Sequence, residues 1–466
     1  MLVVGSGARE HALAWRLASE AGVDRVIVAP GNPGMTDVAE TRSHVPSADQ
    51  GAVARLARDE GADLVVVGPE GPLVEGLAET LREAGIPVFG PSAAAAALEG
   101  SKAFCREVAT EAGVPMAEGE VFDAVRPALA WAHRMEAPVV VKADGLAAGK
   151  GVTVCETLAD VERALEEALT LEVFGPAGRR VVLERALDGR EASVMALCDE
   201  TAILVLPSAR DHKRLGEGDS GPNTGGMGAI SPVPELTDDD TVQLLDRFHR
   251  PVLAALARRG IPFRGALYAG LMLTDGGPRL LEFNVRLGDP EAQAILPRVA
   301  VPLSALLLAA AQGRLASAAA DLGLGDALVP ASAEAVVAVV LASAGYPGTP
   351  RTGDPIEGLG DALSTGATVF HGATSRRQPD GMPLTAGGRV LTVVGRGANV
   401  AEAAGVAHGA ADAIRFSGVQ RRRDIGRDVA TSATGVTGPT AATGVVARPT
   451  AGTGVARPTA AAGTAP

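Results

Sequence analysis

Cysteine is scarce in this sequence. Cys105, Cys155 and Cys198 lie far apart and form no C-x-x-C pair. Neither a disulfide framework nor a zinc site is expected, and a reducing compartment fits. Basic charge is also in short supply, with 42 Lys+Arg against 55 Asp+Glu and a net charge of −13. That argues against nucleic acid as a general partner, because phosphate contacts need a basic patch. It leaves room for small phosphate ligands held by local lysines and glycines. Long apolar runs are missing too. The most apolar, Val299 to Ala311, is broken by Pro302 and falls short of the roughly 20 residues that span a bilayer. No basic segment or cleavage site follows Met1, so no signal peptide is read. The expectation is a soluble, cytoplasmic protein with no membrane partner, acting as a monomer.

The chain has 466 residues, 47% of them hydrophobic. At roughly 100–200 residues per domain, two to four domains are expected. From Leu2 to about Pro91, short Val/Leu-rich strands alternate with amphipathic helices. Strands are expected at Leu2–Val4, Val26–Ala29, Leu64–Val67 and Val88–Phe89, and helices at His11–Glu20, Val53–Glu60 and Val74–Ala84. Such alternation gives a parallel sheet with crossover helices, whose ligands bind beyond the strands' carboxyl ends. The loops there are Gly5 to Glu10, Pro30 to Gly34 and Gly68 to Pro72. A dinucleotide fingerprint, G-x-G-x-x-G, fails because Glu10 stands in place of its last glycine. A glycine turn at a helix N-terminus can still hold one phosphate.

Further on, a helix-prone run from Ala93 to Ala109 contains Gly100-Ser101-Lys102. The strand Val139-Val140-Val141-Lys142 then runs into a glycine-rich loop through Gly145, Gly149, Lys150 and Gly151. A buried strand lysine is costly unless it meets an anion, and glycines let backbone N–H groups approach phosphate oxygens. The spacing is not that of a Walker A loop: one residue is missing between Gly145 and Gly149, and Gly151 replaces Ser or Thr. Val181–Glu184 is a strand ending in an acid, and Glu191 opens another. Ser208 to Pro232 reads as a long polar loop with a basic cluster, Asp211-His212-Lys213-Arg214, and several glycines, a candidate anion-binding loop. His212 is read as a surface histidine.

The stretch Leu280 to Glu291 carries the most chemistry. It follows an apolar run, Tyr268 to Thr274, and a hairpin-turn signal, Asp275-Gly276-Gly277. Strand alternation turns Leu281, Phe283 and Val285 toward a core and Glu282, Asn284 and Arg286 together the other way. A carboxylate and an amide oxygen two residues apart are hard ligands of the kind Mg²⁺ prefers. Arg286 adds a fork of donors for a phosphate or carboxylate. Ala316 to Pro330 reads as a linker. Ala333–Ala344, Val369–Phe370, Val390–Val394 and Val400–Ile414 form a small α+β unit, read as structural or substrate-shaping. From about Asp428, Thr-Ala-Gly-Pro repeats cannot bury a core. The divisions expected are 1–101, 102–315, 329–428 and a disordered tail, 429–466.

At these residues the sequence resembles the ATP-grasp ligases, and more closely the phosphoribosylamine–glycine ligase family. The runs that carry the likeness include Arg9-Glu10-His11-Ala12-Leu13, Ala29-Pro30-Gly31-Asn32, Val67-Gly68-Pro69-Glu70, Leu98 to Lys102, Lys142 to Gly151, Gly221 to Gly228 and Glu282-Phe283-Asn284. The family's terminal motif is matched by Arg422-Arg423-Asp424-Ile425-Gly426. One position departs: the family usually has two glycines before Arg-Glu-His, and here stands Gly7-Ala8. The resemblance implies an α/β protein with an N-terminal parallel α/β domain, a central ATP-grasp fold and a small C-terminal α+β domain. It implies ATP-dependent joining of glycine to 5-phosphoribosylamine in purine biosynthesis. Lys102, Lys142 and Gly145 to Gly151 would serve the ATP phosphates, and Glu184, Leu187 and Glu191 the adenosine. Glu282 and Asn284 would bind Mg²⁺ or Mn²⁺. Arg286, Asn223 and Asp211 would touch the transferring phosphate or the substrates. Gly5, Gly7, Arg9, Gly31 and Asn32 would face phosphoribosylamine. The nearest alternative is another ATP-grasp carboxylate–amine ligase or a biotin-dependent carboxylase subunit.

Overall fold

A computed structural model describes residues 1–135, 138–147, 151–324 and 327–427. Gly149, Lys150 and the expected tail, 429–466, lie outside them.

The first sheet is wholly parallel, in spatial order Glu40–Thr41, Ile27–Pro30, Leu2–Gly5, Val65–Val67, Val88–Phe89. Its central strand, Leu-Val-Val-Gly, is buried along its whole length, as a sheet covered on both faces requires. The strand order reverses beside Leu2–Gly5, so a crevice opens where Gly5 to Gly7 and Gly68 to Glu70 leave the sheet. The helix Ala8–Ala18 starts from that loop.

Two antiparallel four-stranded sheets follow. One is ordered Gly119–Phe122, Val181–Arg185, Val139–Ala143, Val152–Cys155; the other Ile203–Val205, Arg190–Cys198, Gly265–Thr274, Gly277–Asn284. The helix-prone run breaks into Ala93–Gly100 and Lys102–Glu111. Ser101 is extended at the break, and its Oγ accepts from Phe104 N–H at 3.1 Å while donating to Asp144 Oδ1 at 2.8 Å. An N-cap serine satisfies an otherwise orphaned helix donor. Here it also sets Lys102 at the first helical position.

The third large sheet mixes chain regions: Arg210–Asp211, Gly228–Ser231, Ala335–Ala342, Arg389–Gly397, Thr368–His371. This corrects the reading of Ser208 to Pro232 as structureless. Four short strands lie there, two of them closing the hairpin Arg214–Gly216 with Ser220–Asn223. They are two to four residues long and low in apolar content, which concealed them, and one of them, Gly228–Ser231, joins a distant strand. His212 is not a surface residue; it is 5% exposed, and its N–H donates to Gly228 carbonyl at 2.9 Å. The expected linker begins with a helix, Leu315–Asp321.

Candidate functional site

Lys142 stands in the strand Val139–Ala143, opposite Val182, and Glu184 lies diagonally across on the same face. Its Nζ reaches Glu184 Oε2 at 2.7 Å and donates to Leu281 carbonyl, on the other antiparallel sheet, at 2.9 Å. The buried lysine therefore has its anion, and it bridges the two sheets. Arg106 donates to the other oxygen of Glu184 at 3.1 Å. Lys102, Lys142, Glu184 and Glu282 line one pocket with Leu281 and Cys105.

The strand Gly277–Asn284 reaches this pocket with a twist in register. Gly270 pairs with Glu282, but Leu271 pairs with Leu280, so Leu281 is a bulged extra residue. The expectation that Leu281 faces the core is corrected: Leu280 is 2% exposed and joins the core with Phe283 and Val285. The bulge turns the Leu281 carbonyl to Lys142. Beyond it, Glu282, Asn284 and Arg286 share a side. Lys213 Nζ lies 3.5 Å from Glu282 Oε1 and 3.4 Å from Glu191 Oε2. Burial opposes the charge on Glu282, but Lys213, Lys102, Lys142 and Arg286 hold its pKa down at about 2. Arg286 donates to Asn284 Oδ1 at 3.3 Å and pairs with Glu99 at 2.9 Å and Glu70 at 3.2 Å. Its fork is thus anchored to acids that follow the parallel sheet.

Among the described residues no three His, Cys, Asp or Glu side chains converge to cage a metal. Glu282 and Asn284 do fit a hard divalent cation that takes its remaining oxygens from phosphates, the usual Mg²⁺ arrangement. Glu282 is ionised, and both donors are oxygens.

Asp211 is buried, and its Oδ1 has no hydrogen-bond partner among the described residues. Burial, with the charge of Glu291 next, pushes its carboxyl up. Gly226 takes a φ of +108°, and a Cβ there would stand 2.6 Å from Asp211 Oδ1 and 2.4 Å from Pro290 Cδ. Only glycine allows that approach. Glu291 accepts from Tyr268 Oη at 2.6 Å and Ser193 Oγ at 2.9 Å. Asn223 Nδ2 donates to Val152 carbonyl at 3.3 Å, touching the strand that leaves the glycine loop. Gly145 and Gly151 bound that loop; Ala143 N–H donates to Gly151 carbonyl at 2.7 Å. Leu187 is half-buried in the connection between the two antiparallel sheets, and Glu191 is the second residue of the next strand, Arg190–Cys198.

A second cavity, about 440 Å³, separates the N-terminal loops from the C-terminal strands. Gly7, Gly31 and Asn32 line one side, Gly372 and Thr374 the other, with Asp289 and Arg389 between. Gly5 adjoins the first loop. Arg9 is turned inward and donates to Glu10 at 2.7 Å and Leu287 carbonyl at 3.1 Å. Glu10 Oε2 accepts from Gly7 N–H at 2.6 Å, so the residue that spoils the dinucleotide fingerprint fills the glycine turn itself.

Sequence reasoning gave no role to Arg106, Asp289, Arg389 or Glu291, and Lys213 entered only as part of a candidate anion-binding loop. Lys213 had a signal, the basic cluster after Asp211. Arg389 had none: it pairs with Asp289 at 3.0 Å across a hundred residues of chain and donates to Asp289 carbonyl at 2.7 Å.

Comparison with known proteins identifies the family. Residues 1–99 match the phosphoribosylglycinamide synthetase N domain, 100–292 its ATP-grasp (A) domain and 336–428 its C domain. The chain is 47% identical over 433 residues to phosphoribosylamine–glycine ligase from Allochromatium vinosum, covering 91% of this chain and 97% of that protein. It is 45% identical to the protein of the same name from Phenylobacterium zucineum, over 91% and 98%. The crystal structure of phosphoribosylamine–glycine ligase from Thermotoga maritima superposes with a TM-score of 0.76 at 31% identity, covering 91% of this chain and 99% of that one. The biotin carboxylase domain of Hydrogenobacter thermophilus 2-oxoglutarate carboxylase, solved with MgADP, ADP and bicarbonate, shares the fold at a TM-score of 0.67 and 18% identity, over 90% and 91%. With all three domain types in order and near-complete relatives at this identity, the chain belongs to the phosphoribosylamine–glycine ligase family, ATP-dependent carbon–nitrogen ligases of the ATP-grasp fold.

Proposed function

We propose that the two sites act in sequence on one reaction of purine biosynthesis. In the first half, the carboxylate oxygen of glycine attacks the γ-phosphorus of ATP, the bond to the β-phosphate breaks, and glycyl phosphate and ADP form. In the second, the 1-amino group of 5-phosphoribosylamine attacks the acyl carbon, the carbon–oxygen bond to phosphate breaks, and the nitrogen loses a proton. The products are glycinamide ribonucleotide, ADP and phosphate. Phosphoryl transfer asks the protein for positioning and charge compensation. The observation that carries this reading is the array Lys142–Glu184 and Lys213–Glu282, set where the two antiparallel sheets meet.

Lys102 and Lys142 neutralise ATP phosphates, and the loop bounded by Gly145 and Gly151, with Gly149 and Lys150 inside it, covers them. Glu184, Leu187 and Glu191 take the adenosine. Glu282 and Asn284 hold Mg²⁺ or Mn²⁺; the bound cation supplies Lewis-acid compensation for the phosphate charge. Arg286 and Asn223 order the strand end and the covering loop. Asp211, buried beside Gly226 with an oxygen that has no hydrogen-bond partner among the described residues, receives the ammonium of glycine. The cleft of Gly5, Gly7, Arg9, Gly31 and Asn32 takes phosphoribosylamine. The protein works as a cytoplasmic monomer. In support, none of the helices among the described residues is long and apolar enough to cross a membrane, and all three cysteines are free.

The decisive test is coupled ADP release with glycine, with and without phosphoribosylamine. Release that needs both supports the reading. Release driven by bicarbonate in place of both overturns it.

A further inference from the structure

Every polar atom of the Asn32 side chain is already committed to protein. Its Nδ2 donates to Ser6 carbonyl at 2.8 Å, to His371 carbonyl at 2.8 Å and to Gly372 carbonyl at 3.2 Å. Its Oδ1 accepts from Gly34 N–H at 2.9 Å. Asn32 is 7% exposed. The same C-terminal segment is gripped a second time: His371 N–H donates to His11 Nδ1 at 2.9 Å. A Cβ at Gly34 would stand 2.0 Å from His371 Cγ, so only glycine lets the loop close onto that ring. Phe370 packs edge-on against His11 and Trp15, with ring centroids 5.4 and 5.7 Å apart. The segment so held, His371 to Thr374, ends one strand and begins the next. Its Gly372 and Thr374 form a wall of the 440 Å³ cleft.

We propose that Asn32 and His11 are positioning residues, a two-point clasp that fixes the Gly372–Thr374 wall against the N-terminal loops and so sets the width of the phosphoribosylamine cleft. Asn32 then acts on the substrate through the wall. This rests on the assignment of phosphoribosylamine to that cleft. The physical reason is the nature of the grip. Two neighbouring carbonyls and one amide of the wall all bond to one domain's side chains, so the wall cannot shift alone without orphaning buried polar groups. A wall displaced by an ångström misplaces whatever it touches.

The test uses the full chain and two readouts. Hydrogen exchange of the His371–Thr374 backbone, read by mass spectrometry without substrate, reports the clasp. Steady-state kinetics report its consequence. Asn32→Asp keeps the shape but removes the donor and sets an anion against three carbonyls. It should speed exchange in that segment and raise KM for phosphoribosylamine about tenfold, leaving KM for ATP and for glycine within about twofold. His11→Phe should move both readouts the same way, and His11→Asn, which returns an acceptor where Nδ1 sits, should restore them. Asn32→Asp combined with His11→Phe should cost less than the sum of the two, because one released wall cannot be released twice. A raised KM with unchanged exchange, or additive effects, would make Asn32 a direct ligand and overturn the proposal. Faster exchange with an unchanged KM would overturn it as well. If Asn32→Asp does not fold, His11→Phe and His11→Asn carry the comparison. A wild-type chain whose ADP release ignores phosphoribosylamine would instead defeat the assignment of the cleft, and the exchange readout would still judge the clasp.

Discussion

Around the pocket where the two antiparallel sheets meet, charged side chains face one another: Lys142 meets Glu184 at 2.7 Å and Lys213 meets Glu191 and Glu282 at 3.4 and 3.5 Å, while Lys142 also ties to the Leu281 carbonyl at 2.9 Å. In the cleft beside the N-terminal loops, besides the Arg389–Asp289 ion pair at 3.0 Å, the walls are held by side chains on backbone, with Asn32 reaching three carbonyls and His11 one amide. The first kind of site depends on charge at a few positions, and a single neutralising substitution removes the group that does the work. The second depends on the path of the chain, and the residues that matter hold a wall in place. The two should therefore fail differently: one in turnover, the other in substrate affinity and acid stability.

The largest failure is expected at Glu282. Glu282→Gln keeps an oxygen and the shape but loses the charge that four cations hold ionised. A cation's compensation of phosphate charge is worth several kcal/mol, and at ~1.4 kcal/mol per tenfold the loss in turnover is about 10³-fold. Tm should change little. Near-normal kinetics across a range of Mg²⁺ and Mn²⁺ concentrations would take Glu282 out of the metal site.

Next comes Lys142→Met, which keeps much of the stem's volume and removes the ammonium. The Leu281 carbonyl loses its donor, and Glu184 keeps Arg106. Turnover should fall about 10²-fold, the scale of one preorganised electrostatic contact. An unchanged rate would mean that the lysine is only a sheet-to-sheet tie. Smaller again is Asp211→Asn. If its lone buried oxygen receives the ammonium of glycine, KM for glycine should rise about tenfold, at ~1.4 kcal/mol for one hydrogen bond to a charge. KM for ATP should stay put; a parallel rise in both would place Asp211 with the nucleotide instead.

The same contrast explains what could be read from the chain before its folding. Glu282, Asn284 and Arg286 were legible because strand alternation sorts side chains by parity, and Lys142 because a charge inside a run of valines demands a partner. The parity argument failed at Leu281, where a bulge inserts a residue that no local pattern marks. The partners of these groups were harder. Glu184 was visible as an acid ending a strand, but its pairing with both Lys142 and Arg106 depends on sheet order. The strands within Ser208 to Pro232 escaped notice because they are two to four residues long and carry little apolar alternation; one of them, Gly228–Ser231, takes a partner a hundred residues on, at Ala335–Ala342. In the cleft, Asn32 could be picked from its motif, yet the motif says nothing of carbonyls at His371 and Gly372. Backbone groups are the same in every residue, so a site built on them leaves no trace in composition or spacing.

The smallest effect separates the two regions by pH. Burial holds His11 down at about 3, with the charge of His371 adding to it, and burial holds His371 and His249 at about 4. Each is neutral in the folded protein, while the unfolded chain takes a proton near 6.5. A group depressed in this way contributes stability that is present above 6.5 and is lost as pH falls toward 4 and then 3. For each such histidine the slope is at most about 1.4 kcal/mol per pH unit. His11→Asn keeps the acceptor for His371 N–H and removes the titration, so Tm should fall less between pH 7 and pH 5 than in the unaltered protein. Glu282 behaves otherwise. Its contribution is present above the ordinary carboxylate value of 4.5 and is lost only as pH falls toward about 2, so Glu282→Gln should leave the slope between pH 7 and pH 5 unchanged. Equal slopes for His11→Asn and the unaltered protein would show that acid enters elsewhere than at the clasp.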